Sequence, residues 1–484
     1  VLNAGTAQHV ALALDHGATE VVAVEPHRVL TSELAGLSRG GSAAVFASDR
    51  VRWQSEAART WLARDQTRYD LIMLPDIGSP GGSAGLFALH EQPLLTKEAL
   101  GQAWHKLQPN GYLSVTTWLD YPTRSPLRLL ATLVELLEEA GATPAGHIAA
   151  LRSWGTLTFC IKKTPLDSSE IAAARAFARR WAFDAALLPG IADAERDRYN
   201  KLQDDSLFEL LDATLQRDSR QALYRDYPFR IVPTRDDQPF FSQFLRWSRI
   251  NVLLEQYGRR TIPFIELGVL VAGLAAFVLS VLAIILVLLP LTRLGGGSGS
   301  RLGTLLYFGG LGMGYMWAEL AMIHRFEFYL GQPVYSAALV VGVLLTGSAL
   351  GSMLTEWFGN GRQRRIAALV GVVLALYVLL LGPFIQTTIH LPFTARIALT
   401  VAALIPAALV MGMPFPLGIR CLHRTSRNEV PWAWGINGCL SVVGAAFATL
   451  LAVETGYSSL LLLAAGAYLL ASLCGLRGEA GGVV

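Results

Sequence analysis

The sequence predicts a doubly wound α/β domain followed by an α-helical transmembrane domain of about seven helices. Three observations predict it. Over residues 1 to about 160, short apolar runs alternate with amphipathic stretches; near residue 260 the composition shifts; beyond it come apolar runs of membrane-spanning length with few charges. Alternation of this kind implies a mostly parallel sheet with helices on both faces, and in such sheets ligands sit beyond the carboxyl ends of the strands.

In chain order, "VLNAG", "VVAVE", "YDLIMLPD", "GYLSVTTW" and "GTLTFCIKK" read as strands. Between them, "SPLRLLATLVELLEEAG" carries leucines at helical spacing. The first strand, a turn around Gly5, a helix-like stretch and "VVAVE" have the cadence of a nucleotide-binding βαβ unit. Glu25 ends the second strand about 20 positions after the turn, where a carboxylate can accept both hydroxyls of a ribose or be a helix-capping or solvated acid at a strand end. Asp76 follows "YDLIML" at another strand end and is placed to act as a base or to bind an amine. The loop after it, "IGSPGGSAGLFALHE", is rich in Gly and Ser, and reads as a ligand cover or a flexible connection. His90 and Glu91 read as helix-start residues, with a catalytic role as the alternative.

Residues 161 to 250 read as a helical extension, with "SSEIAAARAFARRWAF" capped by Ser. It closes on "RDDQPFFSQF". Asp236 and Asp237 are turn formers or ligand-facing acids, and Phe240, Phe241 and Phe244 are anchors on an apolar surface. From 251 to 484 the candidate spans are 263–290, 303–326, 334–356, 366–388, 396–416, 431–453 and 456–476, with "LGGGSGSR" as a flexible linker. Within the second span Glu319 is an intramembrane acid and so a functional candidate, with His324, Arg325 and Glu327 near its far end. Asn437 lies inside the sixth, as a ligand contact or as interhelix glue.

The net charge of +3 comes without a basic face, which excludes a nucleic-acid footprint. The four cysteines have neither metal-type nor CxxC spacing, so no metal site is expected and they read as packing residues. Because the chain begins directly on a predicted core strand, an upstream portion is expected to be missing, supplied by another chain, or cleaved.

Taken together, "GLFALHEQPLLTKEALGQAWHKLQPNGYLSVTTW", "RDDQPFFSQFLRW", "GLGMGYMWAELAMIHRFEFYLGQPVYSAALVV", "MGMPFPLG" and "PWAWGINGCLSVVGA" resemble the bacterial multi-spanning proteins that fuse a spermidine-synthase-like domain to membrane helices. The resemblance covers nearly the whole chain and is looser in the first hundred residues. It implies a Rossmann-like fold, a bacterial inner-membrane location, and a site for decarboxylated S-adenosylmethionine or S-adenosylmethionine. Gly5 then keeps one place in the glycine-rich turn, Glu25 matches the ribose acid, and Asp76 matches the Asp that deprotonates the amine. Pro80 matches the proline of that loop, while Ser79 replaces its second Asp. Where the family has a Gly-Asp pair for the adenine amine, the nearest residues are Glu56 and Ala57. Other family glycines are Ala4, Thr6 and Ala7, and a Cβ where the turn needs φ > 0 is unfavourable. The amino-terminal hairpin domain and membrane half of the family have no counterpart in this sequence, so a partner membrane subunit or a missing amino-terminal membrane half is expected beside the lipid bilayer.

With seven spans, Arg293, Arg301, Arg362, Arg364, Arg365, Arg420, Arg424, Arg427 and Arg477 share one side, and Arg259, Arg260, Arg325 and Arg396 the other. The positive-inside rule puts the richer set in the cytoplasm and the soluble domain outside, away from the cofactor, unless one segment is re-entrant or the number of spans differs. Two functions follow: a membrane-integral scaffold or complex subunit with degenerate or lost aminopropyltransferase activity, with or without a cofactor, or an active aminopropyltransferase-like enzyme. A small-molecule transporter is a third alternative.

Overall fold

The computed structural model describes residues 1–37, 45–77, 84–201, 206–258, 266–290, 301–357, 361–425 and 427–474. The chain divides into two compact units, Val1–Gly268 and Val269–Val484.

The first unit is a mixed α/β sheet domain. Its strands are β1 (Val21–Val24), β2 (Val51–Gln54), β3 (Tyr69–Ile77), β4 (Leu107–Trp118), β5 (Ile148–Arg152), β6 (Thr156–Lys162) and β7 (Asp184–Leu187). β1 and β2 pair in parallel, as do β3 and β4. Leu2 joins the two sets, because it forms a parallel bridge with Val24 while its N–H donates to Met73 O at 2.9 Å. The lateral order is therefore β2, β1, the Leu2 segment, β3, β4, β6, β5, β7.

The expected mostly parallel sheet gives way at one end to three antiparallel pairs, β4 with β6, β6 with β5 and β5 with β7. The reason is local. Only Ser153, Trp154 and Gly155 separate β5 from β6, and so short a link permits only an antiparallel hairpin. β7 comes from the stretch read as a helical extension; its "DAAL" has no β-branched residue, and burial on both faces rather than propensity holds it in the sheet.

Helices α1 (Gln8–Asp15), α2 (Arg28–Leu37), α3 (Ala58–Arg64), α4 (Lys97–His105), α5 (Ser125–Glu139), α6 (Ser168–Trp181), α7 (Ser206–Leu215) and α8 (Arg217–Asp226) are among the helices of this unit. α5 is the expected leucine helix, and it is buried on nearly all sides. α6 begins with a capping box in which Asp167, not a serine, accepts from the Ser169 and Glu170 N–H groups.

In the second unit all seven expected stretches are helical: α9 (Leu267–Ala283, continued as a wider turn to Leu288), α10 (Arg301–Leu330), α11 (Pro333–Leu354), α12 (Gln363–Thr388), α13 (Phe393–Met411), α15 (Val430–Thr455) and α16 (Tyr457–Leu473). A further helix, α14 (Pro414–Thr425), starts at the "MPFP" prolines, where the lost backbone donors are tolerated. Among the described residues five helices are long and apolar enough to cross a membrane, Leu267–Val287, Pro333–Trp357, Gln363–Thr388, Phe393–Arg424 and Arg427–Thr455. α10 is long but less apolar, and α16 is shorter. Most of the expected linker, residues 294–300, lies outside the described residues.

α10 packs against α11, α15 and α16 through small residues. A Cβ at Gly312 would run into Asn437 O and Ser441 Oγ of α15, and one at Gly310 would sit 2.8 Å from Ala467 O of α16.

Candidate functional site

The turn after the first strand keeps a strained backbone with one glycine. Asn3, Gly5 and Ala7 have φ of 53°, 50° and 66°. Two residues with a Cβ therefore hold the left-handed conformation that glycine adopts freely. At Gly5 the requirement is conformational, since an added Cβ would meet nothing closer than Asn3 O at 4.0 Å.

Glu25 fastens this turn. Its Oε2 accepts from the Gly5 N–H at 2.9 Å and its Oε1 from the His27 N–H at 3.1 Å, and the residue is 4% exposed. Glu25 N–H donates to Gln54 O of β2, so three adjacent chain segments meet at this residue. Each carboxylate oxygen thus already takes one backbone donor, and a ribose would have to share them.

A cleft of about 330 Å³ opens at the carboxyl edge of the parallel strands. Asn3, Pro26, Ala57 and Pro75 line it from successive strand ends, and His90 and Glu91 from the facing segment. Of the expected cofactor residues, Gly5 and Glu25 are not among those lining the cleft, although Pro26, next to Glu25, is. Glu56 lies just before α3 and pairs with Arg64 at the end of that helix. Ala57, at the adenine-side position, is in the wall. Asp76 lies in β3 near its carboxyl end, but its side chain is outside the described residues, as are Ser79, Pro80 and most of the Gly/Ser loop.

Sequence reading missed Arg59 at the cleft wall. It is 3% exposed and pairs with Asp236 at 2.7 Å and with Gln102. Asp236 also accepts from the Thr96 hydroxyl at 2.6 Å, and its N–H donates to Glu98 at 3.0 Å. Burial pushes the Glu98 carboxyl up from its ordinary value, and the neighbouring Asp236 charge adds to this. The turn expected at "RDDQ" is present as an Arg235–Gln238 bridge. Phe240, Phe241 and Phe244 are buried as expected, under Arg128, whose guanidinium donates to the carbonyls of Val232, Phe240, Phe241 and Gln243. The signal for Arg128 was available, as one of two charges, with Glu135, in the leucine-rich stretch "SPLRLLATLVELL".

The polar residues singled out in the helical unit have different partners. Asn437 Nδ2 donates to Phe308 O at 3.1 Å, which is interhelix bonding. Arg325 donates to Ser458 at 2.5 Å, and the His324 ring stacks on Tyr457 with centroids 4.7 Å apart. Glu319 is half-buried, mid-helix, and has no hydrogen-bond partner among the described residues. No group of three or more potential metal ligands occurs among the described residues.

The residues fit a decarboxylated S-adenosylmethionine only in part. The turn and its carboxylate suit the ribose side, whereas Ala57 and Ala58 offer the adenine amine no acceptor side chain. No protein-family model matches the sequence, and no curated protein matches it.

Proposed function

We propose that this chain is a bacterial inner-membrane protein with a spermidine-synthase-like domain whose aminopropyltransferase activity is degenerate or lost, and that it serves as a scaffold or subunit of a membrane complex. The observation that carries this reading is the Glu25 carboxylate, buried and braced by the chain's own amides beside an adenine side made of alanine. The strand order supports a doubly wound, Rossmann-like ancestry, because the Leu2 segment lies where the order reverses and the cleft opens there. Adding α10 and α16 to the five apolar helices supports seven spans.

A second reading, an active transferase, has one observation in its favour. Asn3, Gly5 and Ala7 preserve the left-handed backbone of a nucleoside-binding turn despite the missing glycines.

Calorimetry of the full-length protein in detergent with decarboxylated S-adenosylmethionine, S-adenosylmethionine and methylthioadenosine separates the two. A degenerate site gives millimolar or no binding, unchanged in Glu25→Ala. Micromolar binding that Glu25→Ala weakens by about tenfold or more, the loss of charge-assisted hydrogen bonds, would overturn it.

A further inference from the structure

The helical unit contains an acid that has no hydrogen bond among the described residues. Glu319 lies near the middle of α10, half-buried, while the ionisable residues one to two turns later are engaged with Tyr457 and Ser458. One turn before it, on the same helix face, Tyr315 has a buried hydroxyl with no well-formed hydrogen bond among the described residues. Ser348 of α11 is beside that hydroxyl, and Glu319 is within electrostatic reach of it.

The neighbouring elements bring no countercharge to this depth. α11 has no charged residue, and its one tyrosine, Tyr335, is in its first turn. On α15 and before it, Glu429 and Glu454 lie at the two ends, with Cys439 and the uncharged Asn437 between. α16 contributes Tyr468, an electrostatic neighbour of Tyr315. Arg396 is in the first turn of α13 and donates to Tyr329 O at 2.5 Å, and Arg420 of α14 donates to Thr355 O at 2.6 Å. His423 and Arg424 fall in the last turn of α14.

A carboxylate in an apolar medium with no countercharge is neutralised by a proton or by a cation. A phenol hydroxyl can donate to a carboxylate and can accept from a carboxylic acid, so Tyr315 offers Glu319 a hydrogen bond in both protonation states. We propose that Glu319 and Tyr315 form an exchangeable proton-binding site at mid-depth in the helical unit. This goes beyond the scaffold reading and does not depend on the state of the nucleoside cleft.

Dicyclohexylcarbodiimide tests it on the full-length protein in liposomes. A protonated carboxyl adds across the reagent's C=N bond, and the O-acylisourea rearranges to a stable N-acylurea that peptide mass spectrometry locates. The expected result is modification at Glu319 that falls about tenfold or more as pH rises about two units through a midpoint. It is absent in Glu319→Gln, and the midpoint moves up in Tyr315→Phe, because the carboxylate loses its donor. Modification independent of pH, or none at any pH, overturns the proposal. So does protection by sodium ions, which would assign a metal cation instead, or an unmoved midpoint in Tyr315→Phe. The Tyr315→Phe variant keeps the test decisive if Glu319→Gln does not accumulate.

Discussion

Ala7 holds φ +66° directly before α1, with no side chain to cap the helix. A Cβ in the left-handed region costs about 1 kcal/mol or more, and glycine there escapes most of it. Ala7→Gly is expected to stabilise the first unit by about 1 kcal/mol, seen as a rise of about 2–4 °C in the melting temperature of the full-length protein in detergent. An unchanged or lowered value would mean that Ala7 is not strained. At this scale the pairing of Gly5 with Glu25 was legible, because the spacing of turn and acid places them at adjacent strand ends. That the acid is spent on backbone donors was not legible, because it depends on how closely the turn folds over it.

Arg59, Asp236, Thr96 and Glu98 link α3, the "RDDQ" turn and the start of α4. Arg59→Met leaves Asp236 without its cation in a partly buried place, an expected loss of about 3 kcal/mol and a fall of several degrees in melting temperature. Asp236→Asn is expected to cost less, about 1 kcal/mol, because the amide oxygen still accepts from Thr96. Glu98 adds a pH dependence of defined sign. Its raised pKa means the folded state holds the proton better than the unfolded chain, so stability falls as pH rises above the ordinary value of 4.5. In Glu98→Gln this fall should disappear, and the melting-temperature gap between variant and wild type should widen from about pH 4 upward until the site is ionised; parallel curves would refute the assignment. Elements with strong periodicity, such as α5 and β4, were legible. The hairpin partner β5 and the edge strand β7 were not, since "IAALR" and "DAAL" become strands only by pairing with β6 and with each other.

In the helical unit, contacts sort the helix ends into two groups. Thr304 bonds Glu429 at 2.6 Å, Arg420 bonds Thr355 O, and Arg364 bonds Ser472 O at 2.9 Å, which gathers Arg301, Arg362, Arg364, Arg365, Arg420, Arg424 and Arg427 at one end. Tyr329 bonds Thr388 at 2.9 Å, and Arg396 and Arg325 bond Tyr329 O and Ser458 at the other. Both described arginines of the poorer end are thus held by the protein. The positive-inside rule then predicts that protease added to intact spheroplasts removes the first unit. Protection until the membrane is permeabilised would reverse the orientation and restore access to a cytosolic cofactor.

Local pattern by itself determined the two-part organisation, the seven helical stretches and the βα cadence around Gly5 and Glu25, because helix and strand periodicities and apolar length are properties of contiguous residues. Only the tertiary structure decided that the sheet turns antiparallel at one end, that Arg59 is tied to Asp236 from 177 positions away, and that Glu319 has no hydrogen-bond partner among the described residues while Arg325 has one. Each of these depends on which distant groups arrive at a given place, and the spacing of residues along one chain does not encode it.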